Sequence, residues 1–161
     1  MCIRDRQIVN TTGTIKRSSF INIHNQNSSG GALFVENSTV VFSESSISRN
    51  RRRIYCMNSI ITVNGSIISN NSASIRFNYN DEYGGGFYAI NSTIIFNRSH
   101  ISHNSAHSYG AALYGIDVAI SFTACNVSTI VQHQLYMYAH RLTVQPSPSV
   151  IVHSATTQLQ C

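Results

Sequence analysis

Short apolar stretches alternate with polar turns along this chain, and the middle stretch of each group alternates apolar and polar positions residue by residue. Alternation with a period of two predicts a strand with one buried face. The stretches are rich in β-branched residues and are too short for helices, so the pattern predicts an all-β protein. The alternating apolar pairs are Val40/Phe42, Ile61/Val63, Ile94/Phe96, Ile120/Phe122 and Leu142/Val144.

The chain also repeats itself at a larger scale. Residues 30–42 recur at 84–96, a shift of 54 residues, and both segments contain the tripeptide Asn-Ser-Thr. A copy lies between them at 54–63, a fourth begins at Gly110, and a weaker fifth begins at Leu135. Self-similarity of this kind indicates a repeat architecture. One aromatic residue marks each copy, and these are Phe34, Tyr55, Tyr88, Tyr114 and Tyr136.

The markers follow one another at steps of 21, 33, 26 and 22 residues. A unit this small, with three short strands, cannot bury its apolar face alone, whereas stacked units form a continuous core. We therefore expect a right-handed parallel β-helix, a solenoid of about five coils of three short strands, over residues 7–148. The polar stretch 74–83 accounts for the longest step and is predicted to be an extruded loop. A partial sixth copy is expected before Gly30, with Phe20 or Ile21 in its last strand.

Two polar positions recur with the repeat. The first suits a left-handed backbone conformation, which Asn and Asp adopt more readily than other side chains. At the second, stacked Asn amides can hydrogen-bond from one coil to the next. The first position holds Asn37, Asn58, Asn91 and Asp117, and the second holds Asn50, Asn71 and Asn104.

Two short motifs return with the copies. They are Gly-Gly-Ala-Leu at 30–33 and Ile-x-x-Asn at 47–50, 68–71 and 101–104. These motifs resemble the GGA-[ILV] and FxxN repeats of polymorphic outer-membrane proteins, and they are similar to the broader pectate-lyase-like β-helix superfamily. The chain departs from that pattern in two ways: Ile stands where the second motif has Phe, and the second copy lacks the glycine pair.

The resemblance implies polysaccharide cleavage, glycan binding or an adhesin-like stalk. We expect an extracellular or cell-surface domain (outer membrane if bacterial) with a structural or adhesin-like role and glycan contacts along one strand face. The expected partners are carbohydrate, a cell-surface protein and further coils of a longer chain. The alternative is a non-catalytic fragment of a polysaccharide lyase or glycoside hydrolase.

Both ends of the chain differ from the repeats. Residues 1–6 resemble a translated adapter sequence and are expected to be a non-native leader. Residues 149–161 are expected to form a partial coil or tail. The chain is therefore expected to be a fragment of a longer protein.

The composition and charge of the chain limit the classes of binding partner that are expected. The chain has 161 residues, 11% of them charged, and a net charge of +5. It has no apolar run of about 18 residues, so no transmembrane segment is predicted. The cluster Arg49, Arg51, Arg52 and Arg53 is interpreted as a solvated loop rather than a heparin or nucleic-acid contact, because no recognition helix or RNA-binding motif accompanies it. The four cysteines allow a disulfide but do not select a pairing.

Catalytic and metal-binding constellations are weak. Asp81 and Glu82 are adjacent, and adjacent strand residues point in opposite directions. Glu36 and Asp117 are expected about three coils apart, roughly 14 Å, whereas a glycosidase pair needs about 5–9.5 Å. Three histidines flank a predicted strand, and for that reason they are interpreted as exposed turn residues rather than metal ligands. They are His100, His103 and His107. No catalytic residue, metal or cofactor is predicted.

The aromatic column leaves two alternatives. If its five members face outward, they form a ladder suited to stacking against sugar rings. If they face inward, they fill the coil as an aromatic stack, and this arrangement is favoured because such stacks fill a β-helix core well.

Overall fold

The computed structural model describes residues 7–23, 32–51, 53–73, 84–106, 110–128, 135–144 and 158–160. Every regular element in these ranges is a β-strand. None of these residues forms a helix long and apolar enough to span a membrane. In chain order the strands are β1 (Gln7–Val9), β2 (Thr12–Lys16), β3 (Ser19–Ile21), β4 (Leu33–Glu36), β5 (Thr39–Ser43), β6 (Ser46–Ser48), β7 (Ile54–Met57), β8 (Ile60–Asn64), β9 (Ile67–Ser69), β10 (Ser72–Ala73), β11 (Phe87–Ile90), β12 (Thr93–Asn97), β13 (His100–Ser102), β14 (Ser105–Ala106), β15 (Leu113–Thr123), β16 (Asn126–Ser128), β17 (Leu135–Val144) and β18 (Gln158–Gln160).

All pairs between the described strands are parallel, and these strands pair with their equivalents in neighbouring copies. One curled sheet has two arms, β1-β4-β7-β11 and β2-β5-β8-β12, which meet at β15. A second sheet has the order β3-β6-β9-β13-β16. Within the first arm, the aromatic positions are in register from Phe34 through Tyr55, Tyr88 and Tyr114 to the backbone of Tyr136. The predicted all-β class, parallel pairing and alignment of the copies are thus found, and the arrangement is compatible with a solenoid.

Corners separate the strands at fixed intervals. Successive corner residues with positive φ lie seven and then five positions apart within a copy, for example Asn58, Gly65 and Asn70. Corner residues also stack from copy to copy, because the N–H of Asn37 donates to Met57 O at 3.1 Å and that of Glu44 to Asn64 O at 3.0 Å. The backbone thereby stays hydrogen-bonded through each turn.

The core runs through the middle of the stack and contains one alternating set of side chains from each strand. Val40, Ile61 and Ile94 are fully buried, and the aromatic members pack against one another between copies. Phe96 lies 4.9 Å from Phe122 in a parallel stack, and 5.5 Å from Phe87 in an edge-on contact. Parallel sheets covered on their inner face in this way gain stability from apolar burial.

The structure departs from the expected copy at three places. The leading copy has all three strands rather than a partial set, and Phe20, not Ile21, is its buried residue. A fourth, two-residue strand is added in two copies, where β10 pairs with β14. Strand β15 continues through the corner at Asp117, where Val118 replaces the serine of the three preceding copies, so this corner lacks the hydroxyl that bonds the turn elsewhere.

Gly85 is one of the described glycines that leave no room for a side chain. A Cβ there would lie 2.3 Å from Ser105 O and 2.5 Å from Ala111 O, both backbone atoms of neighbouring segments. We expect Gly85→Ala to lower the free energy of unfolding by about 2–3 kcal/mol, because the stacked backbones must separate. The control is Gly13→Ala, where a Cβ meets nothing within 4 Å. Urea denaturation of both variants measures the difference, and equal stabilities would contradict the close approach.

Candidate functional site

The aromatic column is the most regular feature of the surface. Phe34 and Tyr55 stack with ring centroids 5.3 Å apart and planes 5° apart. Tyr55 and Tyr88 stack at 5.2 Å and 9°, and Tyr88 and Tyr114 at 5.2 Å and 23°. Parallel strands place equivalent side chains at this spacing, so aromatic residues at one repeat position stack without further adjustment.

The column lies on the outside of the sheet, so the favoured internal stack is wrong. Leu33 and Val35, on either side of Phe34, are fully buried, whereas Phe34 itself is half-buried. The same alternation places Ile54 and Cys56 inside and Tyr55 outside. Because neighbouring side chains of a strand point to opposite faces, the inner space is filled by the aliphatic set and the rings must face outward.

The orientation of the rings determines what this face presents. Rings that are nearly parallel at about 5.2 Å overlap face to face, so each ring covers much of its neighbour's surface. The surface therefore presents ring edges rather than the flat ring faces expected from the sequence. Burial in the stack raises the pKa of the Tyr55 hydroxyl, and the neighbouring Tyr88 adds to the shift, so Tyr55 remains a neutral donor.

A second outward column runs beside the aromatic one. It contains Glu36, Met57, Ile90 and Ile116, which are in register and half-buried. Apart from Glu36 these residues are apolar. The two columns together form a continuous surface, here called the aromatic face.

Arg53 contributes a cation to this face. Its guanidinium lies 4.7 Å from the centroid of the Tyr88 ring, and the side chain is only 3% exposed. The prediction of a solvated arginine loop is therefore wrong for Arg53, because stacking over an aromatic ring removes the planar guanidinium from water. Arg49 and Arg51 are exposed.

The recurring asparagines form a buried ladder. Asn50 Nδ2 donates to Asn71 Oδ1 at 3.0 Å, and Asn71 Nδ2 donates to Asn104 Oδ1 at 3.1 Å. Asn71 Oδ1 also accepts the backbone N–H of Asn50 at 3.1 Å, and Asn104 Oδ1 accepts the backbone N–H of Asn71 at 3.0 Å. At most 1% of any of the three is exposed, so the amides satisfy one another inside the corner.

The other recurring polar position lies at an exposed corner. Its four residues have φ angles between 45° and 53°, in the left-handed region. Asn91 Nδ2 also donates to Asn58 Oδ1 at 2.9 Å. The four residues are Asn37, Asn58, Asn91 and Asp117.

The structure also contains two ladders of hydrogen-bonded serines that were not predicted from the sequence. At the first corner of a copy, which lies between β7 and β8 in the second copy, Ser59 Oγ donates to Met57 O at 2.7 Å and accepts the N–H of Ser38 at 3.2 Å. At the second corner, which lies between β8 and β9, Ser66 Oγ donates to Asn64 O at 2.9 Å and accepts the N–H of Ser45 at 3.0 Å. Their signal is a serine directly after each corner residue. The first ladder contains Ser38, Ser59 and Ser92, and the second contains Ser18, Ser45, Ser66 and Ser99.

The residues that the structure describes include no group of three or more His, Cys, Asp or Glu that could hold a metal ion. His100 is half-buried on β13, and His103 is an exposed corner residue. Cys56 and Cys125 are free and buried, and burial raises the pKa of the Cys56 thiol to about 12.

Several predicted features lie outside the described residues. They are the leader 1–6, the glycine pair of the first copy, Arg52, the loop 74–83, His107 and most of the tail 149–161. Of Tyr136, the structure describes the backbone register alone.

The chain shows no match to a protein-family model, to a curated protein or to a solved structure. The fold therefore defines a class, an all-β protein of stacked parallel strands. The resemblance to polymorphic outer-membrane proteins and to the pectate-lyase-like superfamily rests on the motif residues alone.

Proposed function

We propose that the chain is part of a right-handed parallel β-helix that acts outside the cell or at its surface as a structural and adhesive element, and that its aromatic face contacts glycans. The observation behind this proposal is the outward, in-register stack of Phe34, Tyr55, Tyr88 and Tyr114. Parallel crossover connections are right-handed in about 98% of cases, which supports the handedness.

The structural part of the proposed role is supported by how the copies hold together. Ladders of side-chain hydrogen bonds join the corners of successive copies, except at the Asp117 corner where Val118 replaces serine, and the described strands pair with the equivalent strands of neighbouring copies. Such a stack can extend by adding copies, because each contacts only its neighbours. An element of this kind suits a rigid stalk that holds a binding face away from a surface.

The adhesive part of the proposed role is supported by the aromatic face, whose outward side chains are half-buried apart from the buried Tyr114. A continuous outer surface with apolar side chains and few charges is typical of an interaction site. Tyrosines combine an apolar ring with a hydroxyl that can bond a sugar hydroxyl, which suits contact with a glycan along the column. Since the ring faces are partly covered, we propose that hydroxyl contacts and the apolar column beside them contribute more than face-on stacking.

The test is a glycan array followed by titration of the best ligand. Tyr55→Phe combined with Tyr88→Phe removes both hydroxyls and keeps the rings stacked, so we expect affinity to fall about tenfold while the fold is retained. The matched control is Thr62→Val, which removes a half-buried hydroxyl from β8 in the other arm of the sheet. Failure of the native protein to bind any glycan, or equal affinity in the double variant, would contradict the proposal. Release of unsaturated oligosaccharides from pectin or alginate would instead support a lyase.

A further inference from the structure

A polar depression lies at the second corner of the repeat, away from the aromatic face. The corner residues there stack in the order Arg17, Glu44, Gly65 and Arg98, each N–H donating to the next copy. Gly65 has no side chain, and an open depression of about 450 Å³ lies at this position, with Glu44 and Arg98 on either side of it. These two residues are two copies apart, roughly 9.6 Å at about 4.8 Å per strand. We call this depression the corner notch.

The wall of the notch offers hydrogen-bonding groups of both kinds. Asn97 Nδ2 donates to Asn64 Oδ1 at 3.0 Å, and this bond fixes which way the two amides face. The remaining groups are a donor on Asn64 and an acceptor on Asn97, and neither bonds another described residue. The Ser43 side chain adds a hydroxyl that both donates and accepts.

The charge around the notch is positive. Arg17 Nε donates to Glu44 Oε2 at 2.8 Å, an exposed ion pair that occupies one carboxylate oxygen. The hydrogen bond from Arg17 lowers the pKa of Glu44, with its charge and that of Lys16 adding to the shift, so the carboxylate is ionised at neutral pH. The net charge around the notch is +2, from the cations Lys16, Arg17 and Arg98 and the carboxylate of Glu44. Arg98 is exposed, with no ion pair to another described residue.

We infer that the corner notch binds a saccharide unit bearing an anionic group, either a sulfate ester or a carboxylate. Arg98 pairs with the anion, since a guanidinium can make two parallel hydrogen bonds to it. The amides of Asn64 and Asn97 and the free oxygen of Glu44 bond the ring hydroxyls. This inference does not rest on the aromatic face.

Gly65 provides a direct way to close the notch. Its φ is +53°, and a Cβ there meets nothing within 4 Å, so an added side chain has room. Asn58 and Asn70, at the other two corners of the same copy, have φ angles of 51° and 55°. Gly65→Asn therefore places an amide in the notch at a corner conformation that asparagine already adopts in this chain.

The experiment is calorimetric titration of the full chain. The protein is produced in bacteria because Asn64 and Asn97 each begin an Asn-x-Ser sequence, the acceptor for N-glycosylation, and must stay unmodified. The probes are a heparin tetrasaccharide, tetragalacturonate, neutral maltotetraose and inorganic sulfate. We expect at least one acidic probe to bind at least tenfold more tightly than maltotetraose. Gly65→Asn and Arg98→Gln should each weaken that binding about tenfold.

Two controls separate the notch from general attraction and from the aromatic face. Arg49→Gln removes an exposed arginine with the same corner geometry, φ 54° against 48° for Arg98, and should leave affinity unchanged. Tyr55→Phe combined with Tyr88→Phe should also leave it unchanged, so failure of the notch and failure of the aromatic face give different results.

The outcomes divide as follows. Binding of one acidic probe identifies the anionic group, and binding of both supports the shared chemistry. Equal binding of maltotetraose, no binding at all, or equal losses in Arg49→Gln and Arg98→Gln would overturn the inference. Inorganic sulfate binding as tightly as the oligosaccharides would mean an adventitious ion only, and would overturn it as well.

Discussion

Asn71→Ala is expected to lower the free energy of unfolding by about 3–5 kcal/mol, because each buried polar group left without a partner costs about 1–3 kcal/mol. Asn71 Oδ1 accepts both the backbone N–H and the side-chain amide of Asn50, and its Nδ2 donates to Ile47 O at 2.9 Å. Truncation leaves these groups buried without a partner in a corner too tight for easy rearrangement. Urea denaturation monitored by circular dichroism measures the loss.

The control for Asn71 is Asn64→Ala, which removes an asparagine of the same copy from the outer surface. Asn64 is half-buried and accepts one side-chain hydrogen bond, from Asn97. Water can replace that bond, so we expect a loss of about 0.5 kcal/mol. If the two substitutions cost the same, the ladder does not stabilise the stack in the way described.

Phe96→Ala is the second substitution with a large expected effect. Phe96 is 1% exposed and packs against Phe87 of its own copy and Phe122 of the next, so its removal opens a cavity at the junction of two copies. We expect a loss of about 3–5 kcal/mol, the usual cost of truncating a buried phenylalanine. Thermal and urea unfolding of the variant provide the measurement.

The adjacent residue is the control for Phe96. Ile95 lies on the outer face of the same strand and is half-buried. Ile95→Ala is expected to cost about 1 kcal/mol, since it removes partly exposed surface and leaves no enclosed cavity. A larger loss for Ile95→Ala than for Phe96→Ala would mean that the strand faces the other way.

The sequence was sufficient to predict the pairing of the copies. The alternation in pairs such as Ile61/Val63 defined one buried face, and the aromatic markers fixed which residues lie side by side. Both signals are clear in the sequence because the register is strongly constrained: a slip of one residue would turn every buried side chain outward.

The orientation of the aromatic column could not be predicted in the same way. In β4 one face carries Leu33 and Val35 and the other carries Phe34 and Glu36, but in the later copies the Glu36 position is apolar, so hydrophobicity gives only a weak preference between the two faces. In the structure the aliphatic residues Leu33 and Val35 are the buried pair, which leaves the ring of Phe34 on the outer face.

The serine ladders were missed for a related reason. Serine is polar and common in turns, so Ser59 and Ser66 resembled ordinary solvated turn residues in the sequence. Inside a stack of corners, however, a hydroxyl can both donate and accept between adjacent backbones, and it becomes a buried structural group. The corner notch was missed because it depends on the absence of a side chain at one position of a repeated column.

The stacking of parallel copies in register is tested most directly by disulfide cross-linking between β5 and β8, with Cys2 and Cys161 replaced by serine. The structure pairs Thr39 with Ile60 and Ser43 with Asn64, all on the outer face. Cysteines at either of these two pairs should cross-link on mild oxidation, because adjacent strands bring Cα atoms within about 4.4–6.8 Å. Cysteines at 39 with 64, or at 43 with 60, should not. Cross-linking of the second two pairs in place of the first, as antiparallel strands would give, would contradict the account.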